Sequence, residues 1–431
     1  MSAKLIIERL DVRQQAVITS VKRHAESLLN HSPRFKFFTL HGTNHLNNLF
    51  EILELLIKGG IKLNQEELFL ISSAICIHDL GMVVGLGERE IPAILEGKPA
   101  APDPAAVELY IRETHHELVE KYLQQNASFL LSLGLSAAQL GQVADISKCH
   151  RKVILNKQVG VVQYLGALLR VMDELDLGGN RAPSEVFLNL YGQMDATSVW
   201  HWFKHNITEP WLPGDTVSFL TENQRKKIQF LIAVRPTKEN SIGYWLHQIH
   251  RPIKKAIEDD GAGRIIIDKF GVQIECLPSR ERSKVSSLDE RWETIEDTAL
   301  YSGRKVVLVV DDEFRKLDDL FLPVMDHYYV QAVYNAKDAF IRLQATRVDL
   351  VIVDMQIGSG GIWNEKQTND FKTTGINICE TIRKQFPNVK VGILTGTRHP
   401  VPPSQAANAD FFLRKPVDPD KLLQEINYVL K

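Results

Sequence analysis

The chain has 431 residues, 44% hydrophobic and 24% charged, with a formal net charge of −2. That length gives room for two or three domains with ordinary cores, and the near-neutral balance removes any global electrostatic case for nucleic acid or a membrane surface. No apolar run is long enough to span a membrane, the start MSAKLIIERLDV has no signal-peptide core, and Cys76, Cys149, Cys276 and Cys379 form no CxxC pair, so the expectation is a cytoplasmic, reduced protein without disulfides.

In chain order, residues 1 to about 36 predict a helical lead-in that Ser32-Pro33 breaks. His41-Gly42-Thr43-Asn44-His45 then runs into an apolar helix over 46–57, and Leu49, Ile52, Leu53 and Leu56 continue the face of His45. After Gly59-Gly60 a second apolar helix begins at Asn64, which forms a capping-box pattern with Glu67. It closes on His78-Asp79. His78 shares the face of Ile71, Ala74 and Ile75, so it points inward. A buried imidazole beside a buried carboxylate is costly unless something pairs with them, and one divalent cation would satisfy both.

Residues 81–104 read as a long Gly- and Pro-rich loop, either a gate over a site or a solvated connection. A helix over 105–125 carries His115-His116. Another starts at Ser136, paired with Gln139, and ends in Cys149-His150-Arg151-Lys152. A longer one over 159–175 places Asp173 on the stripe of Leu165 and Leu169, with Asp176 and Arg181 where it runs out. Residues 183–280 change character: β-like runs over 227–235 and 264–276 flank a helix over 241–258. The cluster Trp200, Trp202, Phe203 and Trp211 reads as core or an interdomain contact. Residues 281–303 read as a charged linker, helical from about Ser287.

From Arg304 the pattern alternates. Strands over 306–310, 350–353, 389–394 and 411–413 are separated by amphipathic segments, which indicates a doubly wound parallel sheet. Strand ends in such a sheet face a common crevice. There the chain places Asp311-Asp312, Asp354, Thr395 and Lys415-Pro416. Three carboxylates attract Mg²⁺, and an amine and a hydroxyl hold phosphoryl oxygens, which is what a carboxylate needs to accept a phosphoryl group.

In the helical part, His45, His78-Asp79 and Asp173 come from three separate helices and make a plausible first-row metal site. His115 or His116, with His150, would extend it to a second ion. This H…HD…D order resembles the HD-domain metal-dependent phosphohydrolases. HGTNH, HDLGM, the His-His-Glu at 115–117 and MDELD resemble its HD-CE subgroup. The C-terminal pattern resembles response-regulator receiver domains.

Together the resemblances imply a multidomain fold: an all-α HD domain over 1–182, a small α+β appendage over 183–280, a linker over 281–303 and a flavodoxin-like α/β receiver over 304–431. They imply a bacterial two-component response regulator whose output hydrolyses a nucleotide, cyclic nucleotide or related phosphoester. His45, His78, Asp79 and Asp173 would hold Mn, Fe, Zn, Ni or Mg as one or two ions. Asp79 would bridge them, and His115 or His116 with His150 would complete the second set. His41 resembles the leaving-group acid of the cyclic-nucleotide phosphodiesterases, whose H-N-x-x-H has the same spacing, although Gly42 replaces the Asn. Arg181 would clamp phosphate, with Arg151 and Lys152 as further candidates. No GYP tripeptide follows His150, which disfavours the cyclic-di-GMP branch.

In the receiver, Asp354 would accept the phosphoryl group with Mg²⁺ on Asp311, Asp312 and Asp354. Thr395, Phe412 and Lys415 would form the switch. The implied partners are a sensor histidine kinase or phosphotransfer protein and a phosphorylated small-molecule substrate; homodimerisation is a family-level expectation. Nucleic acid lacks a basic tract in its support, and no membrane is implied. The competing expectation is a non-catalytic signalling scaffold whose HD domain binds partners. The segment Ile357 to Thr374 is longer than the usual loop after the phosphoacceptor, and would shield Asp354, bind a partner or lengthen phosphoryl lifetime.

Overall fold

A computed structural model describes residues 2–30, 42–84, 104–150, 152–211, 213–286, 290–301, 304–369, 372–396 and 408–431. The chain forms two compact units. One comprises Met1–Ala233 with Ile249–Ser279, the other Val234–Gln248 with Arg280–Lys431.

The first unit is built on helices α1 (Ser2–Ile7), α2 (Val12–Asn30), α3 (Thr43–Lys58), α4 (Gln65–Ile77), α5 (Pro104–Gln125), α6 (Ala127–Ser132), α7 (Ala137–Lys148), α8 (Lys152–Leu155), α9 (Gly160–Leu175), α10 (Ser184–Leu190) and α11 (Ala196–Ile207). Local chemistry sets their limits. Asn64 caps α4 by accepting from the Glu67 amide at 2.9 Å, and Glu67 Oε2 accepts from the Asn64 amide at 2.8 Å. Ser136 and Gln139 close the same reciprocal box at the start of α7. Leu46, Leu49, Phe50, Ile52, Leu53 and Leu56 of α3 are buried, as is nearly all of α4. Each such side chain contributes about 1.5–3 kcal/mol by leaving water; truncating one, as in Leu49→Ala, costs about 2–5 kcal/mol once the cavity is included.

The appendage differs from the expectation. Its sheet has three strands, β1 (Val217–Glu222), β2 (Arg225–Ile232) and β3 (Val272–Pro278), with β1–β2 antiparallel and β2–β3 parallel. The run Arg264–Cys276 is therefore not one strand. Its first half lies in α13 (Ala262–Phe270), bracketed by left-handed Gly261 and Gly271 (φ 79° and 67°), and only its second half pairs in the sheet. Three consecutive isoleucines suggest a strand, but the two glycines and the packing of Ala262, Gly263 and Ile266 make this turn-bounded stretch a helix. Before it runs α12 (Ile242–Lys254), which continues as a π-turn over Lys255–Asp259. Arg170 of α9 pairs with buried Asp260 at 3.1 Å. Within this unit Trp202 is buried and stacks on Phe187, while Trp211 meets Phe230 edge-on and donates to the Leu175 carbonyl.

The second unit contains α14 (Glu290–Tyr301) and a five-stranded, wholly parallel sheet in the order β5-β4-β6-β7-β8. The strands are β4 (Val306–Val310), β5 (Tyr329–Val333), β6 (Leu350–Val353), β7 (Lys390–Thr395) and β8 (Phe411–Arg414). Helices α15 (Asp318–His327), α16 (Ala336–Ala345), α17 (Thr374–Gln385) and α18 (Pro419–Val429) connect or follow them, giving the flavodoxin-like arrangement. Two apolar cores form, one on each face: one includes Leu308, Val351 and Ile382, the other Val309, Ile352 and Leu422. Strand β5 was not expected from sequence.

Residues 234–248 fold into this second unit. Glu296 of α14 is fully buried and accepts from the Thr237 amide and hydroxyl, the Ser241 hydroxyl and the Trp245 indole N–H. Four donors on one carboxylate satisfy the acceptor sites that burial would otherwise leave bare. Among the described residues no helix is long and apolar enough to cross a membrane.

Candidate metal centre and receiver site

Three helix ends meet inside the first unit. His45 lies in the first turn of α3, His78-Asp79 follow the last residue of α4 in a 3₁₀ turn, and Asp173 sits in the last turn of α9. His45, His78 and Asp79 are buried, and each offers an atom within 4.8 Å of the others. The Nε2 atoms of His45 and His78 lie 3.1 Å apart. Asp79 Oδ2 is 3.3 Å from His45 Nε2 and 3.4 Å from His78 Nε2. Asp173 Oδ1 is 3.8 and 3.9 Å from the same two nitrogens.

The donor set fits a cation. The Ile75 carbonyl accepts only, so His78 Nδ1, 3.0 Å away, carries the proton and Nε2 presents its lone pair. His45 Nδ1 is held at 2.5 Å by Asp176 Oδ2. Two imidazole lone pairs at 3.1 Å repel unless a proton or a metal lies between them. Donors bonded at about 2.1 Å to one ion are about 3.0–3.4 Å apart at octahedral or tetrahedral angles, close to the spacings seen. The electrostatics point the same way. Burial and the charge of Arg181 oppose protonation of His45, but hydrogen bonds to Asp176 and Asp79 prevail and raise it to about 9. Burial pushes the Asp173 carboxyl up, yet His78 and His45 outweigh it and bring it to about 2.

A second group adjoins the first. His115 Nε2 is 3.6 Å from Asp79 Oδ1 and 2.9 Å from His150 Nε2. His150 Nδ1 donates to the Ser147 carbonyl at 2.6 Å, so its Nε2 also faces inward as an acceptor. Burial, then the neighbouring His115, holds His150 well below the ordinary imidazole range. Gly81 permits this approach: a Cβ there would lie 1.9 Å from the His115 carbonyl oxygen and 2.8 Å from the Val119 amide nitrogen. His116 does not join the cluster in the same way, its Nε2 lying 3.8 Å from Glu117. His41 and Arg151 lie outside the described residues, as do residues 85–103 of the expected gating loop.

Asp176 is the residue whose role the sequence did not reveal. It is 2% exposed and holds His45 through Oδ2, Asn48 at 2.6 Å through Oδ1, and Arg181 at 3.3 Å. Such a carboxylate fixes both tautomer and ring orientation. Its spacing from Asp173, three residues along the end of α9, was the available signal. Arg181 is buried and engaged with Asp176, so it is not a solvated surface charge.

In the second unit the polar residues gather at the carboxyl ends of the strands. Lys415 Nζ lies 2.6 Å from Asp311 Oδ2 and 2.7 Å from Asp354 Oδ2. Thr395 Oγ1 donates to Asp354 Oδ1 at 2.9 Å, and the Gln356 amide donates to the same oxygen at 3.1 Å. Asp311 is buried and Asp312 exposed. Burial raises the Asp311 carboxyl against the opposing pull of Lys415. Lys415-Pro416 is cis, and Phe412 is half-buried on β8. The segment after Asp354 is built rather than loose where it is described: Asn364 and Gln367 form a capping box on a short 3₁₀ turn, and Trp363 packs edge-on to Phe340.

Residues 35–255, just over half the chain, match the family model HD-CE. The chain belongs to the HD-CE family. Residues 307–427 match the response regulator receiver domain. An HD-CE domain is thus joined to a receiver, the architecture of a response regulator with an HD-type output, and a receiver implies a histidine kinase or phosphotransfer partner as phosphoryl donor. No curated protein sequence matches the chain. Similar solved structures include a CheY-like receiver domain protein from Methanospirillum hungatei JF-1, at 23% identity and TM-score 0.25 over 30% of this chain and 94% of that one. The signal receiver domain of an HD domain-containing protein from Pseudomonas fluorescens Pf-5 is 24% identical, with TM-score 0.25 over 30% of this chain and 94% of that one. The response regulator TrrA from Thermotoga maritima, in complex with Mg²⁺ and BeF, is 24% identical, with TM-score 0.25 over 29% of this chain and 99% of that one. In the HD-CE chain the histidine–aspartate cluster lies in the domain that gives the family its name, and the acidic cluster in the receiver.

Proposed function

We propose that the helical unit is a divalent-metal phosphohydrolase acting on a nucleotide, cyclic nucleotide or related phosphoester, under the control of phosphorylation at Asp354. One observation carries the reading: two imidazole Nε2 atoms and two carboxylates converge within 3.1–3.9 Å, with each imidazole's Nδ1 already engaged elsewhere. His45, His78, Asp79 and Asp173 would hold one ion. Asp79 Oδ1, His115 and His150 would hold a second, and His115 is favoured over His116 by its 2.9 Å approach to His150. Bound metal would supply an activated water and polarise a phosphoryl oxygen.

The chain's own residues do the rest. Asp176 keeps His45 in the tautomer that leaves Nε2 free, and Arg181, expected as a phosphate clamp, instead balances the Asp176 charge. His41 is the candidate proton donor to the leaving group. In the receiver, Asp354 is the proposed phosphoacceptor, with Asp311 and Asp312 as Mg²⁺ ligands and Lys415 and Thr395 poised to hold phosphoryl oxygens. Phe412 is proposed to switch with Thr395. Phosphorylation would bias the output by a coupling on the order of 1–3 kcal/mol.

The test is a hydrolysis screen over nucleotides and cyclic nucleotides with Mn²⁺, with and without beryllofluoride, on wild type and Asp79→Ala. Activity absent from Asp79→Ala and altered by beryllofluoride supports the reading. Full activity in Asp79→Ala overturns it, and purified protein without near-stoichiometric metal would favour the scaffold alternative.

A further inference from the structure

The helices that converge on the histidine–aspartate cluster also converge at their other ends. Helix α3 runs from His45 to Gly59-Gly60, α4 runs from Glu67 to His78, and α9 from Tyr164 to Asp173. At 1.5 Å per residue, Glu67 lies about 16 Å from His78 and Tyr164 about 14 Å from Asp173. At this far pole is a cavity of about 490 Å³ lined by Gly60, Lys62, Glu67, Gln224, Lys226, Lys269, Phe270 and Gly271. That volume lies within the range of small-molecule sites, roughly 300–1,000 Å³.

Its charge is unbalanced. Lys62 and Lys226 have no ion-pair partner among the described residues. Lys269 lies 3.8 Å from Glu67 and over the Tyr164 ring at 4.2 Å. Glu67 is already engaged, accepting from the Asn64 amide and from Tyr164 Oη at 2.5 Å. The ends of α3 and α13 add about half a negative charge each. Three ammonium groups against these, with the positive ends of α4 and α9 at the same pole, leave a net positive surplus.

Backbone and wall suit a ligand as well. Gly60 has φ 114°, and a Cβ there would fall 2.6 Å from Lys226 Cδ and 3.1 Å from its Nζ, so a glycine lets this lysine lie across the helix end. A Cβ on Gly271 would meet nothing within 4 Å, which leaves the backbone open to the cavity. Phe270, edge-on to Tyr164, supplies an apolar wall, and Gln224 supplies a neutral amide from the β1–β2 turn, where Asn223 and Gln224 both have positive φ.

We infer that this pocket binds a small phosphomonoester through Lys62, Lys226 and Lys269, at a site separate from the metal centre. Lysines act as point-charge phosphate binders, and the space beyond a phosphate accommodates an organic group against Phe270. The inference does not rest on the hydrolase reading. The probes are inorganic phosphate and AMP, titrated calorimetrically into full-length, EDTA-treated protein at low and high salt.

One saturable site is expected for AMP, weakened at least tenfold in Lys62→Gln/Lys226→Gln and in Lys269→Gln, weakened by salt, and unchanged within twofold in Asp79→Ala. Phosphate should compete with AMP. Circular dichroism establishes that each variant is folded. Absence of saturable binding overturns the inference. So does binding that survives the lysine substitutions, or binding lost only in Asp79→Ala, which would put the ligand in the metal centre.

Discussion

Replacing Asp176 by Asn keeps the shape of the side chain and removes its charge. In the native protein this carboxylate is 2% exposed, takes the His45 Nδ1 proton at 2.5 Å and Asn48 Nδ2 at 2.6 Å, and faces Arg181 at 3.3 Å. A hydrogen bond to a charged acceptor contributes about 1.5–3 kcal/mol and a neutral one about 0.5–1.5 kcal/mol, so the His45 contact alone loses about 1 kcal/mol. Partners that orient a metal-binding imidazole typically govern affinity by about 10–100-fold, or about 1.4–2.7 kcal/mol. Asp176→Asn should therefore bind Mn²⁺ or Zn²⁺ about 10–100-fold more weakly in a chelator competition while remaining folded by circular dichroism. Asp176→Ala should do worse, losing about 3–5 kcal/mol of stability because Arg181 is left buried and unpaired. Native metal affinity in folded Asp176→Asn would refute the view that this carboxylate positions His45 for a cation.

Gly81→Ala should cost about 1–3 kcal/mol in urea unfolding, since its Cβ would meet the His115 carbonyl at 1.9 Å and backbone must move; it should also lower bound metal per chain, measured by elemental analysis. Asp354→Asn should abolish labelling by acetyl phosphate with Mg²⁺, read on phosphate-affinity gels; retained labelling would move the phosphoacceptor elsewhere. His205 is held well below its ordinary value by burial, then by Arg181 and Lys204. Its folded value lies below the unfolded one, so the unfolded chain binds the extra proton first. Stability is then intact above about pH 6.5 and falls as pH drops below it, by at most about 1.4 kcal/mol per pH unit from this group. The pH dependence of unfolding between 7.5 and 5.5 should be shallower in His205→Gln; equal slopes would dismiss this contribution.

Signals that are local in sequence were legible. The stripe through His78 and the Asn64–Glu67 box lie within one helix, and the apolar strands at 306–310 and 350–353 declare themselves by composition. Signals that depend on distant partners were not. His45 and Asp176 are 131 residues apart, and beyond the spacing of Asp176 from Asp173 nothing near either one announces the pair. Strand β5 hides behind Gln331, a polar residue buried in its middle whose amide donates to Tyr301. Strand β1 ends in Asn223-Gln224, a turn in which both residues have positive φ although neither is glycine. The three isoleucines at 265–267 carried a strand propensity that the flanking glycines and helix packing overrode.

Glu296 bears on how the gene should be divided. A fragment starting at Arg304 discards α14 and residues 234–248 together, and with them the whole network around Glu296. One ending at Ser279 keeps Thr237, Ser241 and Trp245 and removes the Glu296 carboxylate that accepts from all three. A receiver expressed with residues 290–303 but without 234–248 would instead carry a bare carboxylate where four donors used to be. Protease nicking should accordingly spare the stretch around Thr237, although sequence alone places it inside the appendage over 183–280.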